Sequence, residues 1–208
     1  MEMEKQENSA IVDVIKWVKR NKKPFFSTLI SVIVVALIIV FVYVRIQMVN
    51  TAASDRLNMA TKIISTGNLE QGLTLIDDVI NTYGNTPAAY RAIIIKASNL
   101  IFQKKYDEAE ALLKTYIENA KPETVKPIGY PLLISVYDNN GNVEQAISLS
   151  KDFLSKYSDN YLAASVMENL ARLYALSGKE EEAKQVYKDI TEKFPGTIYS
   201  ERAAEKLK

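Results

Sequence analysis

The sequence predicts an all-α protein, a right-handed solenoid of four helical hairpins and a capping helix that follows one transmembrane helix. Three observations predict this fold class. A run of 21 uncharged residues lies near the start of the chain, a period of 37 residues extends over the rest, and the alternating pattern of a β-strand is missing. The 208 residues accordingly divide into an N-terminal segment (1–23), a membrane span (24–46) and a repeat domain (47–208).

The uncharged run extends from Pro24 to Val44. As a helix it would be about 31 Å long, which matches the hydrocarbon core of a bilayer. A buried core helix is the alternative. It is disfavoured because the β-branched residues lie on every face of the helix and leave no polar side for water.

The charges that flank the run predict its orientation. Only Arg45 and, further on, Arg56 follow it, whereas five basic residues precede it closely: Lys16, Lys19, Arg20, Lys22 and Lys23. Basic flanks stay in the cytoplasm, so we expect a single-pass protein of the bacterial inner (plasma) membrane with a cytoplasmic N-terminus and a periplasmic, extracytoplasmic repeat domain. An organelle receptor with a cytosolic repeat domain would need the opposite charge asymmetry. A signal peptide cleaved near residues 51–53 is also disfavoured, because the apolar run exceeds the roughly 7–15 residues of such a signal.

The first 23 residues carry six basic and four acidic side chains. Apolar residues at helical spacing, Ile11, Val14, Ile15 and Val18, lie beside Trp17. This pattern suits an amphipathic helix on the inner leaflet, with its basic side toward anionic lipid heads. A tail that only sets the topology is the other interpretation, and the two remain open.

A period of 37 residues is the strongest signal in the rest of the chain. It is carried by three columns of apolar or small residues, each repeated four times. The columns are Ala60, Ala97, Ile134 and Ala171; Gly72, Ala109, Ala146 and Ala183; and Val79, Tyr116, Phe153 and Ile190. The small residues allow two helices to approach closely, and the large ones fill the groove toward the next hairpin.

Each unit is predicted to be two helices joined by a tight turn. The turns lie at 66–68, 103–105, 140–142 and 177–179, and three of them contain glycine, which ends a helix in the left-handed conformation. Acidic residues follow each turn and suit the first turn of a helix. No hairpin can bury its apolar stripe alone, so the hairpins are expected to stack.

The fourth unit carries the motifs of a known repeat. Leu170–Tyr174, Ser177–Lys179, Ala183, Tyr187 and Phe194–Pro195 resemble the tetratricopeptide repeat, and the resemblance covers residues 53–195. The family period is about 34 residues, and its signature tryptophan is replaced here by Arg56, Ile93, Tyr130 and Met167. The resemblance implies a tetratricopeptide-like solenoid. After Pro195, the sequence predicts a capping helix with Ser200 as its N-cap.

The order of segments resembles the ancillary subunit family of the Sec translocon. That resemblance implies an adapter that binds the translocon and works with periplasmic chaperones on exported client proteins. A structural scaffold for an envelope complex, such as the division or secretion machinery, is the alternative function.

Composition argues against other classes of function. The chain has neither histidine nor cysteine, which removes the commonest general base, the commonest metal ligand and the thiol nucleophile. Its acidic runs Asp77–Asp78 and Glu180–Glu182 suit solvated helix faces. The net charge of +1 does not suit a nucleic-acid binder. We therefore expect no enzyme activity, no cofactor, no metal and no small-molecule substrate.

Function is expected to lie in a groove formed by the first helix of each hairpin. The residues that are predicted to project into it, as a candidate peptide-binding groove, are Arg91, Ile94, Ser98, Ile101, Phe102, Ile128, Ser135, Asp138 and Arg172. The alternative interpretation is ordinary core packing for Ile94 and Ile101 and ordinary solvation for Arg91 and Arg172.

Overall fold

The computed structural model describes residue 12 and residues 16–208. The chain forms two compact units, Met1–Thr51 and Ala52–Lys208. All regular structure in the described part is helical. This confirms the predicted all-α class.

The first unit contains most of one long helix. Helix α1 begins at Lys22 and ends at Ser65 in the second unit. Before it, the Asn21 side chain donates a hydrogen bond to the Trp17 carbonyl (3.0 Å), and the Trp17 ring meets the edge of Phe25 at 6.3 Å. Of the residues that predict an amphipathic helix, Ile11, Val14 and Ile15 lie outside the described part.

The apolar part of α1 has the length and composition of a membrane span. Its large apolar side chains are exposed from Phe26 to Met48, and the most apolar window of the helix is unburied. A signal sequence near an N-terminus meets the same criteria.

The second unit contains the end of α1 and eight further α-helices. Their bounds are α2 Leu69–Thr82, α3 Pro87–Phe102, α4 Tyr106–Asn119, α5 Gly129–Asn139, α6 Val143–Lys156, α7 Ala163–Leu176, α8 Glu180–Lys193 and α9 Ile198–Lys206. A 3₁₀ helix, Glu123–Ile128, lies between α4 and α5. Each helix packs against the next, so that α1–α2, α3–α4, α5–α6 and α7–α8 form four hairpins and α9 covers the last one.

The buried residues follow the 37-residue period. Ala60, Ala97, Ile134 and Ala171 are all fully buried, and the column of large residues from Val79 to Ile190 is at most 2% exposed. The small residues at the helix crossings are buried as well. The stacked hairpins of a tetratricopeptide-like solenoid are therefore confirmed.

The hairpin turns use left-handed backbone conformations. Gly67, Gly141 and Gly178 have φ angles of 92°, 77° and 72°. In the second hairpin Lys104 adopts the same conformation with φ 59°, although it has a Cβ atom. The turn geometry is thus shared by all four hairpins, and the second one adopts it without the residue that favours it.

The N-cap of the capping helix was wrongly predicted. Thr197, not Ser200, precedes α9, and the Thr197 hydroxyl accepts a hydrogen bond from the Ser200 amide at 3.3 Å. Thr197 follows a glycine with positive φ, Gly196, and its own backbone is extended, as an N-cap requires. The cap, and with it the start of the helix, therefore lies three residues earlier than predicted.

The connection between the second and third hairpins is fixed by one tyrosine. The Tyr116 hydroxyl donates a hydrogen bond to the Val125 carbonyl at 2.8 Å, which holds the 3₁₀ helix against α4. A Cβ atom at Gly129, the first residue of α5, would lie 2.7 Å from Cδ1 of the Tyr116 ring. Glycine at this position therefore allows α5 to begin close to α4.

Candidate peptide-binding surface

The nine residues predicted for the groove lie on three successive first helices and at the end of the 3₁₀ helix. Three of them, Arg91, Ile94 and Ile128, line one pocket. Arg172 lines a second pocket nearer the C-terminus. The other five line neither pocket.

The first of these, the N-terminal pocket, has a volume of about 650 Å³ and lies between α3 and the 3₁₀ helix. Its walls are mainly apolar or aromatic: Pro87, Tyr90, Ile94, Ile95, Tyr116, Pro122, Val125 and Ile128. Arg91 and Lys121 are the only charged residues that line it in the described part of the chain. The volume falls within the roughly 300–1,000 Å³ of typical ligand pockets.

The aromatic side of the N-terminal pocket is firmly held. The rings of Tyr90 and Tyr116 meet edge to face at 5.9 Å, and the Tyr116 hydroxyl is bonded to Val125. Burial raises the pKa of Tyr116 to about 12, and Tyr90 adds to the same shift. The phenol therefore stays neutral and keeps its proton for the Val125 carbonyl throughout the physiological pH range.

The two cations of this pocket have no acidic partner in the described part of the chain. Arg91 and Lys121 are exposed, and neither is within ion-pair distance of a described carboxylate. No acidic residue of the described ranges, 12 and 16–208, lines the pocket. The N-terminal pocket thus combines an apolar surface with positive charge.

The C-terminal pocket, of about 690 Å³, has a different character. It is lined by residues of α5, α7, α8 and α9, and most of its charges are already matched. Arg172 pairs with Asp138 on the preceding hairpin, and Glu168 pairs with Arg202 on the capping helix at 2.9 Å. These pairs join successive repeats at the pocket and reduce the charge that it offers to a ligand.

The remaining predicted residues have local roles. The Ser98 hydroxyl donates to the Ile94 carbonyl at 2.9 Å, and the Ser135 hydroxyl accepts from the Asn139 amide at 3.0 Å. Ile101 packs against the main core, as the alternative interpretation has it. Phe102, at the end of α3, is 85% exposed and belongs to neither pocket.

The environments of Ile94 and Arg172 each fit both interpretations in part, the binding groove and ordinary packing or solvation. Ile94 packs against the core and also lines the N-terminal pocket. Arg172 is exposed, yet it is held by Asp138 and also donates to the Asn169 side chain. Ile94 is therefore not only a core residue, and Arg172 is not only a solvated surface residue.

Several lining residues were not predicted, although the repeat period indicates some of them. One step of 37 residues leads from Ile94 to Pro131 and from Ile128 to Ser165, and two steps lead from Ile94 to Glu168; all three reached residues line the C-terminal pocket. The same step from Ile101 and Phe102, taken twice, reaches Ala175 and Leu176 of that pocket. The period carries no such signal for Pro122 and Val125, because the connection between α4 and α5 has no counterpart in the other units.

No arrangement for metal chemistry is found in residues 16–208. The described acidic residues, together with the absence of histidine and cysteine, give no group of three or more that could hold a metal ion.

Comparison with known proteins supports this description. The sequence matches the family described as a tetratricopeptide repeat-like domain over residues 16–207, which includes the apolar helix as well as the repeats. No curated protein sequence matches the chain significantly.

Solved structures share the fold at low sequence identity. A tetratricopeptide repeat protein from Parabacteroides merdae is 14% identical with a TM-score of 0.61, over 76% of this chain and 59% of that one. The tetratricopeptide-like repeats of a putative kinesin light chain from Podospora anserina are 15% identical with a TM-score of 0.60, over 76% and 84%. MamA from Desulfovibrio magneticus is 16% identical with a TM-score of 0.54, over 67% and 74%.

These identities establish a shared fold and nothing finer. The repeat fold is of a kind that binds other proteins and has no enzymatic machinery of its own. By the match of residues 16–207, the chain belongs to the family of tetratricopeptide repeat-like domains.

Proposed function

We propose that the protein is a membrane-anchored interaction module of the bacterial cell envelope. Residues 24–46 anchor it in the inner membrane, residues 1–23 lie in the cytoplasm and residues 47–208 lie in the periplasm. There it acts as an adapter that links the Sec translocon to periplasmic chaperones and exported clients. The observation that carries this proposal is that one continuous helix, α1, joins a charge-free apolar run to an interaction fold.

The course of α1 supports an anchor that is retained. The helix continues without a break through residues 51–53, where a signal peptidase would have to cut. Ala53 and Leu57 are fully buried in the core of the first hairpin. Cleavage after Ala53 would remove that residue from the core and cut α1 just before Leu57, so we infer that the apolar run stays attached.

The family match supports the same conclusion. It begins at residue 16, ahead of the apolar run, and continues to residue 207. A span that belongs to the family unit is expected to serve in the mature protein. The excess of basic residues before the span supports a cytoplasmic N-terminus.

Attachment of the repeat domain to the membrane allows contacts of low affinity to be functional. Confinement to the membrane raises the effective concentration of the repeat domain near other membrane proteins. A groove of modest affinity can therefore hold a client that leaves the translocon and release it again.

Crosslinking in intact membranes tests the proposal. A tagged full-length chain is crosslinked in the membrane and purified, and the captured proteins are identified by mass spectrometry. We expect translocon components, periplasmic chaperones or exported proteins. Recovery of cytosolic proteins alone would refute the adapter function and the topology together.

The same experiment separates the adapter from the scaffold. A scaffold for a division or secretion complex would give partners in fixed stoichiometry, whether or not protein export is running. An adapter for clients would lose its exported partners when export is blocked. Constant recovery of the same partners under both conditions would favour the scaffold.

A further inference from the structure

We propose that the N-terminal pocket binds an internal segment of a partner protein in which one large apolar side chain is flanked by acidic residues. This inference rests on the proposed function, because it specifies the chemistry that the interaction module recognises. It is carried by an apolar surface and by unmatched positive charge in the same pocket.

The apolar part of the pocket favours a large apolar side chain at the centre of the ligand. Ile94 and Ile95 are half-buried and Ile128 is 37% exposed, so all three present apolar surface to water. Covering such surface is favourable because it removes apolar area from water. A volume of about 650 Å³ admits a phenylalanine or leucine side chain together with its neighbouring backbone.

The positive charges of the pocket favour acidic residues on either side of this apolar side chain. Arg91 and Lys121 line the pocket, are exposed and have no acidic partner among the described residues. Among the residues that the structure describes, no carboxylate lines the pocket, so a basic segment would meet only like charge there. Complementary charge favours an acidic segment and disfavours a basic one.

The C-terminal pocket does not share this preference. Its Arg172 is paired with Asp138 and its Glu168 with Arg202. Its other charged lining residues are Glu180, Lys184 and Lys206, and Lys184 is paired with Glu181, so this pocket presents charges of both signs. The acidic preference therefore belongs to the N-terminal pocket.

The walls of the N-terminal pocket are formed before a ligand arrives. Tyr116 is bonded to Val125 and packed on Tyr90, and within the 3₁₀ helix Lys126 pairs with Glu123 at 3.0 Å. Little of the pocket has to be ordered on binding, which lowers the entropic cost of association.

Photo-crosslinking to a defined probe tests this proposal. The full chain is held in nanodiscs of zwitterionic lipid. The probe is an amidated decapeptide of glycine and serine with Asp-Phe-Glu at its centre, in which photoreactive benzoylphenylalanine replaces the phenylalanine. Amidation removes the terminal carboxylate, so only the side chains carry negative charge. A second probe with the photoreactive residue between two lysines controls for apolar attachment.

Mapped by mass spectrometry, the acidic probe is expected to label residues 87–95 and 121–128. It should do so at least about fivefold more efficiently than the basic probe, a difference of about 1 kcal/mol, which two exposed charge contacts can supply. About 0.5 M salt should reduce this preference. Labelling elsewhere, or equal labelling by both probes, would overturn the proposal.

A charge reversal adds a test that does not depend on the absolute affinity. The double variant Arg91→Glu with Lys121→Glu should prefer the basic probe. Its matched control is Lys188→Glu with Lys193→Glu, which makes the same change at exposed positions of α8 outside both pockets. A pocket variant that keeps the acidic preference would contradict the inference.

Failure of this inference is distinguishable from failure of the proposed function. If the probes show no acidic preference while translocon or chaperone partners are still captured in membranes, only the specificity of the pocket is wrong. If the probes behave as expected but only cytosolic partners are captured, the acidic preference of the pocket is supported and the adapter function is refuted.

Discussion

At the scale of single residues, Lys104 is the clearest case of a residue type that does not suit its backbone conformation. Its φ of 59° is left-handed, and the equivalent turns have glycine. Lys104→Gly should raise the free energy of unfolding by about 1 kcal/mol, because a Cβ atom is unfavourable in this conformation. Thermal unfolding of the full chain, followed by circular dichroism, measures this change.

The matched control for that variant is Gly178→Lys, which puts the same side chain into the fourth turn, where φ is 72°. It should lower the melting temperature. An unchanged or lower stability for Lys104→Gly would mean that the lysine side chain stabilises its turn by contacts that offset the backbone strain.

Tyr116 is the residue whose ionisation matters most for the N-terminal pocket. Burial disfavours the phenolate and raises its pKa from the ordinary tyrosine value of 10.0 to about 12 in the folded chain. The folded state holds the proton more tightly, so this contribution to stability is complete below pH 10 and is lost as the pH rises toward 12.

Tyr116→Phe should therefore have two effects. At pH 7 it removes the hydrogen bond to Val125 and should cost about 1 kcal/mol. Between pH 10 and 12 its stability should fall less steeply than that of the natural chain. Urea unfolding at a series of pH values measures both effects. Tyr83→Phe, a half-buried tyrosine outside the pocket, is the control, and parallel curves for Tyr116→Phe and the natural chain would disprove the assignment.

The N-cap of α9 shows what residue-level patterns can and cannot predict. Thr86 and Thr197 lie three periods apart, and each caps the helix that follows it. The equivalent position in the second hairpin therefore indicates the correct cap, Thr197, whereas the residue type of Ser200 taken alone does not. A cap is better predicted from its place in the repeat than from the residue type alone.

At the scale of helices, the closely packed crossings hold each hairpin together. Ala146 is fully buried where α6 meets its neighbours. Ala146→Leu should overpack this crossing and lower the stability by about 1–3 kcal/mol. Ser148→Leu makes a similar addition on the exposed side of the same helix and should change little. Equal losses for the two variants would show that α6 does not pack through Ala146.

The hairpins were predictable from the sequence because their small, large and turn residues repeat at one period. The 3₁₀ helix was not, because Glu123–Ile128 occurs once and is held by a hydrogen bond from Tyr116 of the preceding helix to Val125, for which the repeat gives no pattern. This unrepeated connection supplies one wall of the N-terminal pocket. The helices of the candidate site were therefore predictable, whereas its shape was not.

At the scale of the whole molecule, the proposal depends on topology. The chain has no cysteine, so single cysteines report their compartment without background. A membrane-impermeant maleimide added to intact spheroplasts should label Ser158→Cys in the repeat domain and leave Ser9→Cys unlabelled. Labelling of Ser9→Cys alone would reverse the topology, and the adapter function would then be untenable.

The central claim is that the repeat domain binds other proteins through the N-terminal pocket while it is held at the membrane. The most direct measurement is photo-crosslinking in intact cells, with a photoreactive amino acid placed at position 128 in one variant and at position 188 in another. We expect position 128, in the pocket, to give discrete adducts with translocon components, periplasmic chaperones or exported proteins, and position 188, on the exposed side of α8, to give few. Adducts of equal yield and identity from both positions, or adducts with cytosolic proteins only, would contradict the claim.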